Sequence, residues 1–282
     1  MEAIRRLLTA KFNLPPPYVA VNVQSLGDIM NITKELRSSD YYLFIDFKRF
    51  SLFSHQELAL AHNLGFEDSI IVLREEGTEL KGFLRYVQSN PEVFTTTDDL
   101  LQKVESLVAQ KGWSAKYSRN LVIKPTLTRS GIVSYGDHTG QVVVQESWKV
   151  GIENRRPDVA AVGVVCVLDS ILLPSGIRQL SPDTGYLKWV GHRDYQRTLL
   201  PKSTGEVDIC ATRMNEPGLF LLSTLDVVPR QPILTQNGKY ELNYKVFAQD
   251  FPMVEFTVAL DLQWQAPSPR VWTNQSTVEV KP

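Results

Sequence analysis

Tyr41-Tyr42-Leu43-Phe44-Ile45-Asp46-Phe47 is an apolar run. Ser51-Leu52-Phe53-Ser54-His55-Gln56-Glu57-Leu58 follows it, and a second apolar run, Ser69-Ile70-Ile71-Val72-Leu73, comes next. The two apolar runs have the length of buried strands, and the segment between them has the length of a loop with a short helix. A strand, a helix and a strand make a βαβ unit, whose strands lie parallel and whose crossover leaves the sheet at the carboxyl end of the first strand. In α/β folds that end is where ligands bind. This reading puts Asp46, Lys48 and Arg49 on the ligand side and Glu57 at the start of the helix.

The alternation extends outward to about residue 112. Glu2 to Lys11 reads as an amphipathic helix and Tyr18 to Val23 as a strand after Pro15-Pro16-Pro17. Ser25 and Asp28 resemble a helix start, with Ile29, Ile32 and Leu36 on one face as far as Arg37. Thr97-Asp98-Asp99 opens a helix carrying Leu100, Leu101, Val104, Leu107 and Val108, with Gly112 as its stop. Such β/α alternation predicts a parallel sheet covered by helices.

Beyond about residue 115 the period changes to two. Val142, Val144, Trp148, Val150 and Ile152 share one parity, as do Tyr240, Leu242, Tyr244 and Val246. Val254, Phe256, Val258, Leu260, Leu262 and Trp264 form a third set, with the polar Glu255, Thr257, Asp261 and Gln263 between them. One apolar and one polar face is the pattern of antiparallel strands buried on one side. The expectation is an α/β domain over 1–114 and an all-β sandwich over 115–282, with Trp113 to Asn120 as the connector.

Composition narrows the function classes. The chain has 282 residues, 43% hydrophobic and 22% charged, and 30 basic against 31 acidic residues leave a net charge of −1. This balance gives no footprint for nucleic acid or an anionic membrane. Two cysteines, Cys166 and Cys210, make neither a disulfide framework nor a zinc site. They fit a reducing, cytoplasmic setting. No glycine-rich phosphate loop, catalytic Ser-His-Asp order or metal motif stands out, so no cofactor is expected. The cluster Trp189, His192, Arg193, Asp194, Tyr195 and Arg197 reads as a polar, aromatic surface loop.

The segment Ser51 to Leu58, Ser-x-Phe-Ser-x-x-Glu-Leu, resembles the Ser-x-Trp-Cys-x-x-Glu-Leu motif of TIR domains. Ala59 to Gly65 is also similar to the helix of nucleoside deoxyribosyltransferase-like proteins. The resemblance covers about residues 1 to 112 and implies a flavodoxin-like parallel sheet that breaks an N-glycosidic bond. It implies Glu57 as the catalytic carboxylate, Phe53 against a nicotinamide or base, and Ser51 on the ribose. Asp46, Lys48 and Arg49 complete the substrate-binding set. NAD or a related nucleotide is then the substrate. Self-association through the TIR-like half, and a sensing or assembly role for the β half in prokaryotic defence, are also implied. The chain departs from the family where Met1 leads directly into a helix, so the sheet is expected to lack its first strand. Two rival functions are a non-catalytic interaction scaffold and a deoxyribosyltransferase-like enzyme.

The residues also have plainer roles. A glutamate in a first helical turn favours the helix dipole, Phe53 suits a core, His55 and His62 suit a helix surface, and Lys48-Arg49 suits a solvated loop.

Overall fold

The computed structural model describes residues 1–14, 16, 18, 26–48, 52–66, 69–79, 91–115, 117–130, 133–136, 140, 142–180, 185–192, 194–213, 218–221, 234–262 and 277–281. At 26–29, 52–54, 133, 135–136, 143 and 277–281 only the backbone is described. The chain divides into two compact units, Met1–Asn120 with Arg156–Asp158, and Leu121–Arg155 with Val159–Pro282. The division falls at Asn120/Leu121 rather than at 114/115.

The first unit contains helices α1 (Glu2–Phe12), α2 (Leu26–Ser38), α3 (Leu52–Asn63) and α4 (Thr97–Lys111), and strands β1 (Tyr42–Asp46), β2 (Ile70–Glu75) and β3 (Glu92–Phe94). The strands form one sheet in the order β1-β2-β3, parallel throughout. The expected strand over Tyr18–Val23 lies outside the described residues, apart from Tyr18.

Strand alternation sends side chains to both faces, and each face has its own core. On one side Phe44, Ile70 and Val72 pack with Ile32 and Leu36 of α2 and Leu58 and Ala61 of α3. On the other, Ile71, Leu73 and Phe94 pack with Ile4 and Leu8 of α1 and Leu100, Val104 and Val108 of α4. A sheet covered on both faces needs the near-continuous apolar strands seen at 41–47 and 69–73.

Local chemistry fixes the helix ends. Thr96 caps α4, its side chain accepting from the Asp99 N–H at 3.2 Å, and Gly112 closes the helix at φ 64°. Asp99 accepts in turn from the Thr95 N–H at 2.9 Å. Together with Lys103, this bond holds its carboxyl below the usual range.

The segment expected to be a connector is built into the first unit. Trp113 is buried and stacks on Tyr41 with ring centroids 4.5 Å apart, and Tyr117 stacks on Tyr41 at 5.1 Å. Asp40 Oδ1 accepts from Ser118 Oγ at 2.9 Å and from the Arg119 N–H at 3.0 Å. Arg119 lies 3.8 Å over the Phe66 ring and donates to the Leu64 carbonyl. Burial, with Arg156 nearby, lowers its pKa to about 10. Arg156 is buried and gives Asp158 a two-pronged bond, with Nε 3.0 Å from Oδ1. These paired charges satisfy the demand that buried ions be compensated.

The second unit is antiparallel throughout. One sheet has the order β11-β10-β6-β4, with β5 also on β6. Its strands are β4 (Leu121–Arg129), β5 (Val133–Gly136), β6 (Val142–Asn154), β10 (Thr204–Arg213) and β11 (Phe220–Leu221). The other has the order β14-β13-β12-β7-β8, with β9 also on β7. Its strands are β7 (Ala161–Leu172), β8 (Arg178–Leu180), β9 (Gln196–Leu199), β12 (Gly238–Phe247), β13 (Val254–Leu262) and β14 (Thr277–Lys281).

Both sheets contribute to one apolar core. Trp148, Val150 and Ile152 of β6 and Val207 of β10 share it with Tyr244 of β12 and Phe256, Val258, Leu260 and Leu262 of β13. Tyr244 stacks on Phe256 at 5.0 Å. Val142 departs from the parity expectation and is 72% exposed. Trp264 lies outside the described residues. Pro125 falls within the irregularity of the β4–β6 ladder between Ile123 and Leu127, as expected of a residue without an N–H.

Trp189 is not part of a surface loop. It is fully buried, and its indole N–H reaches the Val164 and Tyr195 carbonyls, both at 3.2 Å. Gly205 makes room for it, since a Cβ there would stand 2.6 Å from Trp189 Cζ3.

Candidate functional site

β1 runs Tyr42-Leu43-Phe44-Ile45-Asp46, and its even residues face α2 and α3. Phe44 belongs to that core, and its ring lies 6.3 Å from the His55 ring of α3. Asp46, two residues on, takes the same face at the carboxyl end of the strand and is 5% exposed. Its Oδ2 is 3.2 Å from His55 Nε2. In the neutral ring a carboxylate acceptor puts the proton on Nε2 and leaves a lone pair on Nδ1. His55 Nδ1 is buried and has no hydrogen-bond partner among the described residues.

The expected site residues separate. Asp46 is at the carboxyl end of β1 and pairs with His55. Lys48 is exposed, its N–H donates to Glu75 Oε2 at 2.9 Å, and its side chain runs past Gly77 after β2. Arg49 and Ser51 lie outside the described residues, as does the side chain of Phe53, whose backbone is in the first turn of α3.

Glu57 requires a correction. α3 begins at Leu52 and has no acidic residue in its first turn, so Glu57 stands in the helix interior. Helix-dipole stabilisation falls off within the first turn, so that role is not available to it. Glu57 is half-buried and its charge acts on Tyr42. The Tyr42 phenol is pushed well up, first by burial and then by Glu57.

Sequence reading missed His55 as a partner of Asp46 and assigned it to the surface. A signal was present: His55 is three residues before Leu58 and six before Ala61, both fully buried, so one helical face carries all three. Asp46 shares strand parity with Phe44, which directs it to that face.

Elsewhere the ionisable groups have plainer explanations. Burial alone raises the Cys166 thiol, and burial with nearby Asp208 raises that of Cys210; both cysteines are free. Neither is a ready nucleophile, because the thiolate is the reactive form. Among the described residues no group of three or more His, Cys, Asp or Glu is arranged to hold a metal ion. Among them, too, no helix is long and apolar enough to cross a membrane.

No family model matches the sequence, and no curated protein matches it. Solved structures with some likeness include a family 123 glycoside hydrolase from Clostridium perfringens, with 7% identity and a TM-score of 0.26. That match covers 41% of this chain and 20% of the other. A β-glucosidase from Kluyveromyces marxianus in complex with glucose has 11% identity and a TM-score of 0.22, over 84% of this chain and 34% of the other. The chain thus spans about a third or less of the length of these structures. At such scores the likeness bears on neither fold nor function.

Proposed function

We propose that the first unit is a TIR-like domain that hydrolyses the N-glycosidic bond of NAD or a related nucleotide. The second unit, read as a β-sandwich, would sense a signal or drive assembly in a cytoplasmic defence protein. One observation carries the reading: a buried carboxylate, Asp46, ends a parallel strand, and α3, with His55 and Glu57, is the next element in the chain.

The chemistry suits such a place. Breaking the bond between nicotinamide and ribose develops positive charge at C1′. A fixed anion beside that atom stabilises the transition state more than the ground state. Glu57 is the carboxylate that the motif resemblance assigns to this task, and its place in the helix interior keeps it on a rigid element. Binding of the base and ribose would fall to Phe53 and Ser51, and of the phosphates to Lys48 and Arg49.

The test is incubation of the full chain with NAD, following nicotinamide and ADP-ribose, with deoxynucleosides assayed in parallel. Release of nicotinamide supports the reading. Turnover of deoxynucleosides alone would replace it with the deoxyribosyltransferase-like enzyme. No turnover of either, across a wide range of protein concentration, would leave the scaffold role in its place.

A further inference from the structure

We propose that His55 is the general base of the first unit and that Asp46 is its positioning residue. The assignment rests on the hydrolytic reading above, in which a water must lose a proton.

Asp46 and His55 come from different elements, and both are largely buried, with side chains 7% and 14% exposed. A carboxylate 3.2 Å from Nε2 fixes the ring orientation and its tautomer. The basic lone pair is then on Nδ1, which is buried without a donor among the described residues. Leaving a buried polar atom unmatched costs about 1–3 kcal/mol, and such exceptions call for an explanation. A pair that served only to tie α3 to β1 would need Nε2 alone. The free nitrogen is explained by a proton-donating group arriving with the ligand at the carboxyl end of the sheet.

The step balances. The water oxygen bonds to C1′ of the ribose, and one water proton passes to His55 Nδ1. The C1′–N bond breaks with its electron pair on the nicotinamide ring nitrogen, which discharges the pyridinium. The products are ADP-ribose, nicotinamide and one proton, which His55 returns to solvent.

The experiment has two arms on the full chain. The first measures nicotinamide release by wild type, His55→Gln, His55→Ala and Asp46→Asn, with folding of each checked by thermal unfolding. His55→Gln should lower kcat by about 10²–10⁴ with little change in KM, the usual contribution of a general base. Exogenous imidazole should restore part of the activity of His55→Ala, which a purely structural histidine would not allow. Asp46→Asn keeps an acceptor oxygen without the charge and should fall between. Full activity of folded His55→Gln would overturn the proposal.

The second arm does not depend on turnover. It records the ¹⁵N resonances of the His55 ring with and without ADP-ribose. The Nε2–H tautomer, with an Nδ1 signal that moves on addition of ADP-ribose, supports the assignment even if the wild type does not cleave NAD. In that case only the hydrolytic reading fails. The opposite tautomer, or an Nδ1 signal unmoved in an active enzyme, would overturn the assignment. An inactive wild type with an unmoved signal would remove both.

Discussion

The two units bury apolar surface in opposite ways, and the difference explains where chemistry can be placed. The antiparallel unit closes two sheets over a single core in which Tyr244, Phe256 and Trp189 are the large fillers. Its strands alternate, so their polar residues point outward and most ionisable side chains meet water. The parallel unit has a sheet covered on both faces and therefore two cores. Its strands have no polar face, so functional side chains gather at strand ends and on the first turns of helices. Asp46 at the end of β1, facing His55, is such a case. Continuous burial along the strands leaves their carboxyl ends as the place to hold charge at low dielectric.

The largest expected effect breaks the antiparallel half alone. Phe256 is 3% exposed and stacked on Tyr244, so Phe256→Asp puts an unpaired charge in the shared core. The cost should be roughly 5 kcal/mol or more, enough to unfold this unit. Thermal unfolding followed by tryptophan fluorescence and far-UV circular dichroism would check it. A variant with wild-type stability would show that the inward face of β13 is assigned wrongly.

A smaller loss is expected in the parallel half. Leu73 is fully buried in the core beneath α1 and α4. Leu73→Ala should cost about 2–5 kcal/mol through lost burial and a residual cavity. Urea titration would read it as a lower midpoint. If this change and a core truncation in β13 shift the same single transition, the two units unfold together rather than separately.

The smallest effect is a gain with a defined pH dependence. Asp208 on β10 has its pKa raised, chiefly by burial, against the pull of Lys149 and Lys188. Its folded state therefore binds the proton more readily than the unfolded chain does. The associated stability is complete below the unfolded carboxyl pKa and is lost as pH rises through the folded value. Asp208→Asn removes the charge and keeps an acceptor oxygen for the Ser147 hydroxyl. Its Tm should exceed that of wild type at pH 7, with no advantage near pH 3. A gain that persists unchanged at acid pH would assign the effect to packing instead.

Strand existence was legible at several sites but not throughout: the long β4, β7 and β10 were not singled out. The runs at 41–47 and 69–73, the period-two sets at 240–246 and 254–262, and the Thr-Asp-Asp start of α4 all appear as strands or a helix. The three-residue β3, Glu92–Phe94, was not, because so short a run shows no periodicity. The fate of Trp113 to Asn120 was hidden as well. Its aromatic stacking on Tyr41 and its bonds to Asp40 are long-range contacts that local propensity does not report.

At the candidate site, the strand end and the polar character of the following segment could be read, but the partner of Asp46 could not. Strand parity and helix phase each pointed inward, yet their meeting depends on how α3 seats on β1. The start of α3 was also misplaced. Leu52 opens the helix where Glu57 was expected near its first turn; Ser54 and Glu57 match the Ser-x-x-Glu spacing of a capping box and so point to a start later than the one seen.

Under the proposed function, the parallel unit breaks an N-glycosidic bond with a carboxylate on α3. Nicotinamide release from NAD by wild type and Glu57→Gln, measured side by side on proteins of matched thermal stability, tests it most directly. Glu57→Gln keeps the shape and removes the negative charge, so the predicted loss is a factor of about 10²–10³ in kcat. Matching the thermal stability separates a loss of catalysis from a loss of folding, since Glu57 is half-buried and acts on Tyr42. Equal turnover by the two proteins would contradict the account.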